Sequence, residues 1–175
     1  MRKLISFLLL TTLIGLSGCN LLVDDTTIVA YGDERDVDRV MAPYDTKSVQ
    51  HDTFYVKYRE LDHKKIVYVD RHVFDELMER KLLYTVTKKE KPKLLKRLKT
   101  ERSRISYAAS ENDLPKEIQQ TTVYEGPLLM GKQHFPNVDG IVLLSYSQYE
   151  ELDFHEKAVH IATYEKEYAT IVLEQ

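Results

Sequence analysis

Phe54-Tyr55-Val56-Lys57-Tyr58-Arg59 and Lys65-Ile66-Val67-Tyr68-Val69-Asp70, joined by the polar Glu60-Leu61-Asp62-His63-Lys64, decide the reading of this fold. Both runs are rich in aromatic and β-branched residues, which suit a pleated surface, and a short polar connection between two such runs predicts a β-hairpin. Directly after it, from His72 to Leu83, Val73, Phe74, Leu77 and Met78 recur at helical spacing, with Asp70 placed to cap the start. A hairpin feeding a helix is the local unit from which the rest of the fold is read.

Outward from that unit, Thr26 to Tyr31 reads as an earlier strand, and the acidic, turn-rich stretch from Gly32 to Asp52 reads as a long connection. Leu83-Tyr84-Thr85-Val86-Thr87 follows the helix as another strand. Pro92 can open a second helix carrying Leu94, Leu95, Leu98 and Ile105. The chain between Ile105 and Glu125 favours neither state. Ile141 to Tyr146 is a candidate buried strand, Ser147 with Glu150 fits a capping box for a short helix, and Ala158 to Leu173 reads as two strands around Glu165-Lys166-Glu167. Strands and helices mix without regular alternation, so the expected class is α+β, with a mostly antiparallel sheet and two or three short helices. Twelve tyrosines and no tryptophan agree with a β-containing fold.

The chain opens with Met1-Arg2-Lys3, then runs from Leu4 to Gly18 without a charge. That is a secretory signal pattern, too short for a spanning helix of about 20 residues and followed by Asn20 and Asp24-Asp25 rather than by basic residues. It ends in Leu16-Ser17-Gly18-Cys19, which resembles the lipobox of bacterial lipoprotein precursors: an aliphatic residue, two small ones, then cysteine. The resemblance implies a diacylglycerol thioether on Cys19 and cleavage between Gly18 and Cys19. It also implies a membrane partner for the chain through that lipid. Cys19 is the single cysteine of the sequence and stands where this chemistry needs it. Residues 1–18 are then a signal peptide and 19–175 one extracytoplasmic domain, lipid-anchored at the outward-facing side of the cell membrane, or at the outer membrane if the cell has two. No Gly/Ser-rich tether follows the cysteine, since Leu21-Leu22-Val23 comes almost at once. With the thiol consumed, disulfides, a cysteine nucleophile and a cysteine zinc site are excluded.

Net charge is −3, but Arg80 to Arg104 holds eleven Lys or Arg against Glu90 and Glu101. Lys93, Lys96, Arg97 and Lys99 form a candidate basic surface that either touches anionic lipid or is a solvated helix face over a leucine core. Nucleic acid is not an expected partner, because export keeps the domain away from it. The segment from Gly126 to Gly140 is dense in glycine and proline, and Leu128, Leu129, Met130 and Phe135 there are candidates for an apolar contact with an envelope protein partner.

His155-Glu156-Lys157-Ala158-Val159-His160 is similar to the HExxH zinc motif but one residue too long, which rotates the second histidine off the shared helix face. The other histidines, His51, His63, His72 and His134, are scattered without ligand spacing. No Gly-x-Ser-x-Gly elbow and no phosphate-cradling loop occurs. No catalytic residue, cofactor site or metal site is therefore expected. The leading function is a noncatalytic accessory or binding module of the envelope. Its rival is an anchored cell-wall glycan hydrolase using paired carboxylates, a chemistry that leaves no short motif. A transporter's solute receptor fits poorly, since one domain of this length lacks two closing lobes.

Overall fold

The computed structural model describes residues 20–24, 27–45, 48–87, 91–100, 103–130 and 138–164; of 20–24 and 45 it describes the main chain alone. The central hairpin is as expected. Strand β3 (Gln50–Leu61) pairs antiparallel with β4 (Lys64–Asp70), and the turn between them is only Asp62-His63, both at positive φ (52° and 60°). Two left-handed residues match the twist of the flanking strands, which is why they close a two-residue loop.

Asp70 caps the next helix, α2 (Arg71–Glu79), its Oδ1 accepting from the N–H groups of His72 (2.6 Å) and Val73 (3.1 Å). Removing such a cap costs about 1–2 kcal/mol. Asp70→Ala should lower the unfolding free energy by about that amount in urea titration, and an unchanged midpoint would refute the capping role.

Before the hairpin, β1 (Asn20–Asp24) and β2 (Thr27–Gly32) pair antiparallel, with Asn20 opposite Tyr31. The stretch expected to be a long connection instead contains helix α1 (Glu34–Asp45). Its fully buried residues are Val37 and Met41, one turn apart, too sparse a stripe to stand out among acidic and turn-forming neighbours. Glu34 and Asp36 in its first turn favour that end electrostatically.

After α2 come β5 (Leu83–Val86) and β6 (Pro92–Leu94), paired antiparallel. The second helix expected from Pro92 is thus absent, and no helix is described between Lys91 and Thr100. Pro92 instead begins an outer strand, where its missing N–H is tolerated, and Leu95 N–H donates to Leu83 O at 2.9 Å. Leu95 is buried while Leu94 and Leu98 are half-buried, so the leucine run serves an extended chain over the core.

The undecided stretch resolves into β7 (Arg104–Ala108), a 3-10 turn (Glu111–Asp113), helix α3 (Lys116–Thr121) and β8 (Val123–Tyr124). Then follow β9 (Leu128–Met130), β10 (Gly140–Leu144), helix α4 (Tyr146–Glu150) and β11 (His155–Thr163). The capping box of α4 is Ser145 with Gln148, two residues earlier than the Ser147/Glu150 pair suggested by sequence. The second strand expected toward Leu173 lies outside the described residues.

The class is α+β, as the sequence indicates. An eight-stranded sheet runs β1-β2-β11-β3-β4-β10-β7-β8, antiparallel except for β4/β10 and β7/β8, and a three-stranded antiparallel sheet runs β6-β5-β9. Alternation along each strand sends side chains to two faces. Val67, Val69, Ile105, Tyr107, Ile141 and Leu143 pack with Phe74 and Leu77 of α2 and with Leu83 and Met130 of the small sheet. On the opposite face Ile66, Tyr68, Val142 and Leu144 meet Ile118 of α3 and Tyr149 of α4, while Ile28, Ala30 and Ala162 meet Val37 and Met41 of α1.

Candidate functional site

Where α3 ends and β8 begins, the chain passes beside the start of β7 and the capped start of α4. These ends enclose a polar groove of about 450 Å³, lined by Ser103, Arg104, Gln120, Thr121, Thr122, Val123 and Gln148. That volume is within the range of small-molecule sites. The floor is rigid: Thr122 Oγ1 lies 2.7 Å from both Ser106 Oγ and Ile118 O, and Ser106 is fully buried. With its amide turned so that both ends find partners, Gln148 donates through its nitrogen to Ser103 O (3.0 Å) and Ser145 Oγ (3.1 Å) and accepts through its oxygen from Arg104 Nε (3.3 Å), tying α4 to β7. Arg104 is the one charged residue among the described residues of the lining, so the groove offers hydroxyls, amides and a guanidinium to a polar or anionic group.

Behind α4 a buried lysine holds this wall in place. Lys57 Nζ donates to Tyr149 O (2.9 Å) and Leu152 O (2.8 Å), carbonyls at the helix C-terminus, and sits 4.7 Å from the centre of the Tyr149 ring. A cation there satisfies acceptors that the helix itself cannot. Nothing in the sequence singles out this lysine, because its role depends on a partner 92 residues away.

Two further polar clusters stand elsewhere. Asp33 Oδ1 accepts from Lys157 Nζ (2.6 Å) and lies 3.3 Å from His155 Nε2, and the lysine hydrogen bond, followed by that from histidine, holds its carboxyl below the usual carboxylate range. His51 and His160 stack with ring centres 6.0 Å apart, and His160 Nδ1 is 3.0 Å from Thr53 Oγ1. His155 and His160 both lie on β11, where a spacing of five puts them on opposite faces of the sheet. Among the described residues no group of three or more His, Cys, Asp or Glu is placed to hold a metal ion.

The other sequence candidates separate. Lys93, Lys96, Arg97 and Lys99 are all exposed, but on β6 and an extended segment rather than on a helix; Lys99 Nζ donates to Glu125 O (2.8 Å), just past β8. Leu128, Leu129 and Met130 form β9, at 7%, 4% and 1% exposure. These three belong to the core and offer no apolar surface to a partner, because pairing with β5 turns a segment dense in turn formers into a sheet strand. Phe135, Gly18 and Cys19 lie outside the described residues. The groove was missed in sequence because its residues come from three separate segments, none of which has a motif.

A family profile described as an uncharacterised lipoprotein family matches residues 26–175. The chain belongs to that family. The lipoprotein's fold is also that of a chain from Bacillus anthracis described as a lipoprotein, whose crystal structure was determined at 1.5 Å. The two are 23% identical with a TM-score of 0.69, over 85% of this chain and 91% of the other, a likeness that concerns the fold. No curated protein matches the chain. None of the lipoprotein's described helices is long and apolar enough to cross a membrane.

For the lipoprotein, Lys57→Met should cost about 2–3 kcal/mol, because it keeps the apolar stem but leaves two carbonyls without their charged donor. Thermal or urea unfolding measures the loss; a change below about 0.5 kcal/mol would mean that water replaces the ammonium group at no cost.

Proposed function

We propose that this lipoprotein is anchored by lipid on Cys19 and serves the cell envelope as a noncatalytic accessory or binding module. It sits at the outward-facing side of the cell membrane, or at the outer membrane where a cell has two, as one extracytoplasmic domain of residues 19–175 freed from signal peptide 1–18. The chemistry of the groove carries the reading: hydroxyls, amides and the Arg104 guanidinium, placed at the ends of α3, α4 and β7, suit recognition of a polar or anionic group on an envelope protein partner. Glycan hydrolysis needs two carboxylates facing one another across the bond, and among the described residues the groove's lining contributes none.

The test compares the intact lipoprotein with Arg104→Glu in capture from the native envelope, both checked for equal thermal midpoints. Arg104 supplies a charge-assisted hydrogen bond worth about 1.5–3 kcal/mol, so reversal should weaken partner retention by roughly 10–100-fold. Equal retention by both forms would exclude the groove as the binding surface. Sustained release of fragments from purified cell-wall glycan by the wild type would replace the module with the hydrolase.

A further inference from the structure

The eight-stranded sheet has two outer strands, β1 and β8, and the chain treats them differently. Asn20, the first residue of β1, already pairs with Tyr31 of β2. Cys19 is the residue before it, so one Cα–Cα step of about 3.8 Å is all the chain between a lipidated residue and the sheet. By contrast, a flexible linker of ten residues would have a reach of about 17 Å, enough to uncouple the domain from its anchor.

β8 lies seven strand positions from β1, which at about 4.8 Å each is roughly 34 Å along the sheet. The groove sits at this far side, with Arg104 opening β7 and Val123 opening β8. Lys99, the basic residue tied to Glu125, is on the same side. The field of a charged membrane decays over about 8 Å at physiological salt, so roughly 34 Å is about four such lengths. Basic groups that far away gain almost nothing from anionic headgroups.

We propose that the lipoprotein is held with its β1 edge against the lipid headgroups and presents the β8 edge, with the polar groove, away from the membrane. This orientation rests on the anchoring read above. It gives the otherwise open β1 edge a neighbour, because none of the described strands pairs with its outer side and an open edge invites pairing with other chains. It also makes the groove a receptor for anionic or polar groups arriving through the aqueous space, and removes Lys99 from the membrane contact that its sequence suggests.

A lipidated Cys19 leaves no free thiol, so one introduced cysteine takes a fluorophore at a single place. Ala42→Cys labels the exposed face of α1, which packs on β2 and β11 near the anchored edge; Gln120→Cys labels the rim of the groove. Each lipidated protein is placed in phosphatidylcholine vesicles carrying a headgroup-attached quencher. The Ala42→Cys label should be quenched several-fold more strongly than the Gln120→Cys label. Equal quenching, or stronger quenching at the groove, in protein whose Cys19 carries lipid by mass spectrometry overturns the orientation alone. Protein with an unmodified Cys19 that fails to float with vesicles overturns the anchoring, and the orientation with it.

Discussion

Cys19→Ser should reduce incorporation of labelled fatty acid to background and release the domain from the membrane fraction. The sequence holds no other thiol, and a serine hydroxyl is too weakly acidic to replace a thiolate in forming the link to diacylglycerol. Each methylene buried in the bilayer adds about 0.8 kcal/mol, and a single acyl chain gives only marginal, reversible binding. Two or three chains on one residue therefore set the difference between stable attachment and none, and no described helix supplies a spanning segment in their place. Equal labelling of wild type and Cys19→Ser would refute the lipobox reading, and would point to another site of attachment.

Phe74→Ala should remove about 3–5 kcal/mol of folding free energy. Phe74 is 1% exposed and stacks on Tyr107, with ring centres 5.8 Å apart and planes at 15°, so truncation loses transfer free energy, a stacked partner and close packing together. The hole opens where α2 meets both sheets, and strands on either side cannot collapse into it without breaking their ladders. Phe74→Leu keeps most of the volume and should cost under about 1.5 kcal/mol. Urea midpoints at an unchanged slope measure both; a loss below about 1 kcal/mol for the alanine would mean that the site refills by rearrangement.

What was legible in the sequence follows the strength of local signals. The β3–β4 hairpin and α2 were readable because a period of two gives way to a period of 3.6 at Asp70, a residue that also satisfies the helix start. The leucines at 94, 95 and 98 misled for the opposite reason: their spacing fits a helix, while Pro92 and the partner strand β5 decide for a strand. Likewise Leu128 to Met130 looked like a loop because glycine and proline flank them, and only β5, more than 40 residues earlier, makes them core. α1 was hidden in acidic turn formers. The groove was beyond reach altogether, since α3 and α4 are brought together by packing on one shared face of the large sheet and not by any residue pattern.

The position of β11 sets the order in which the molecule can be made. It lies between β2 and β3, so the amino-terminal hairpin has no place in the large sheet until residues 155–163 arrive. Of the described strands, that one is synthesised after all the others. The β1–β2 pair is a two-stranded ribbon until then, marginal by itself, and the contacts that complete the sheet span most of the chain, a topology that folds slowly. The large sheet therefore cannot close stepwise from β1 onward, because its amino-terminal hairpin joins β3 only through β11.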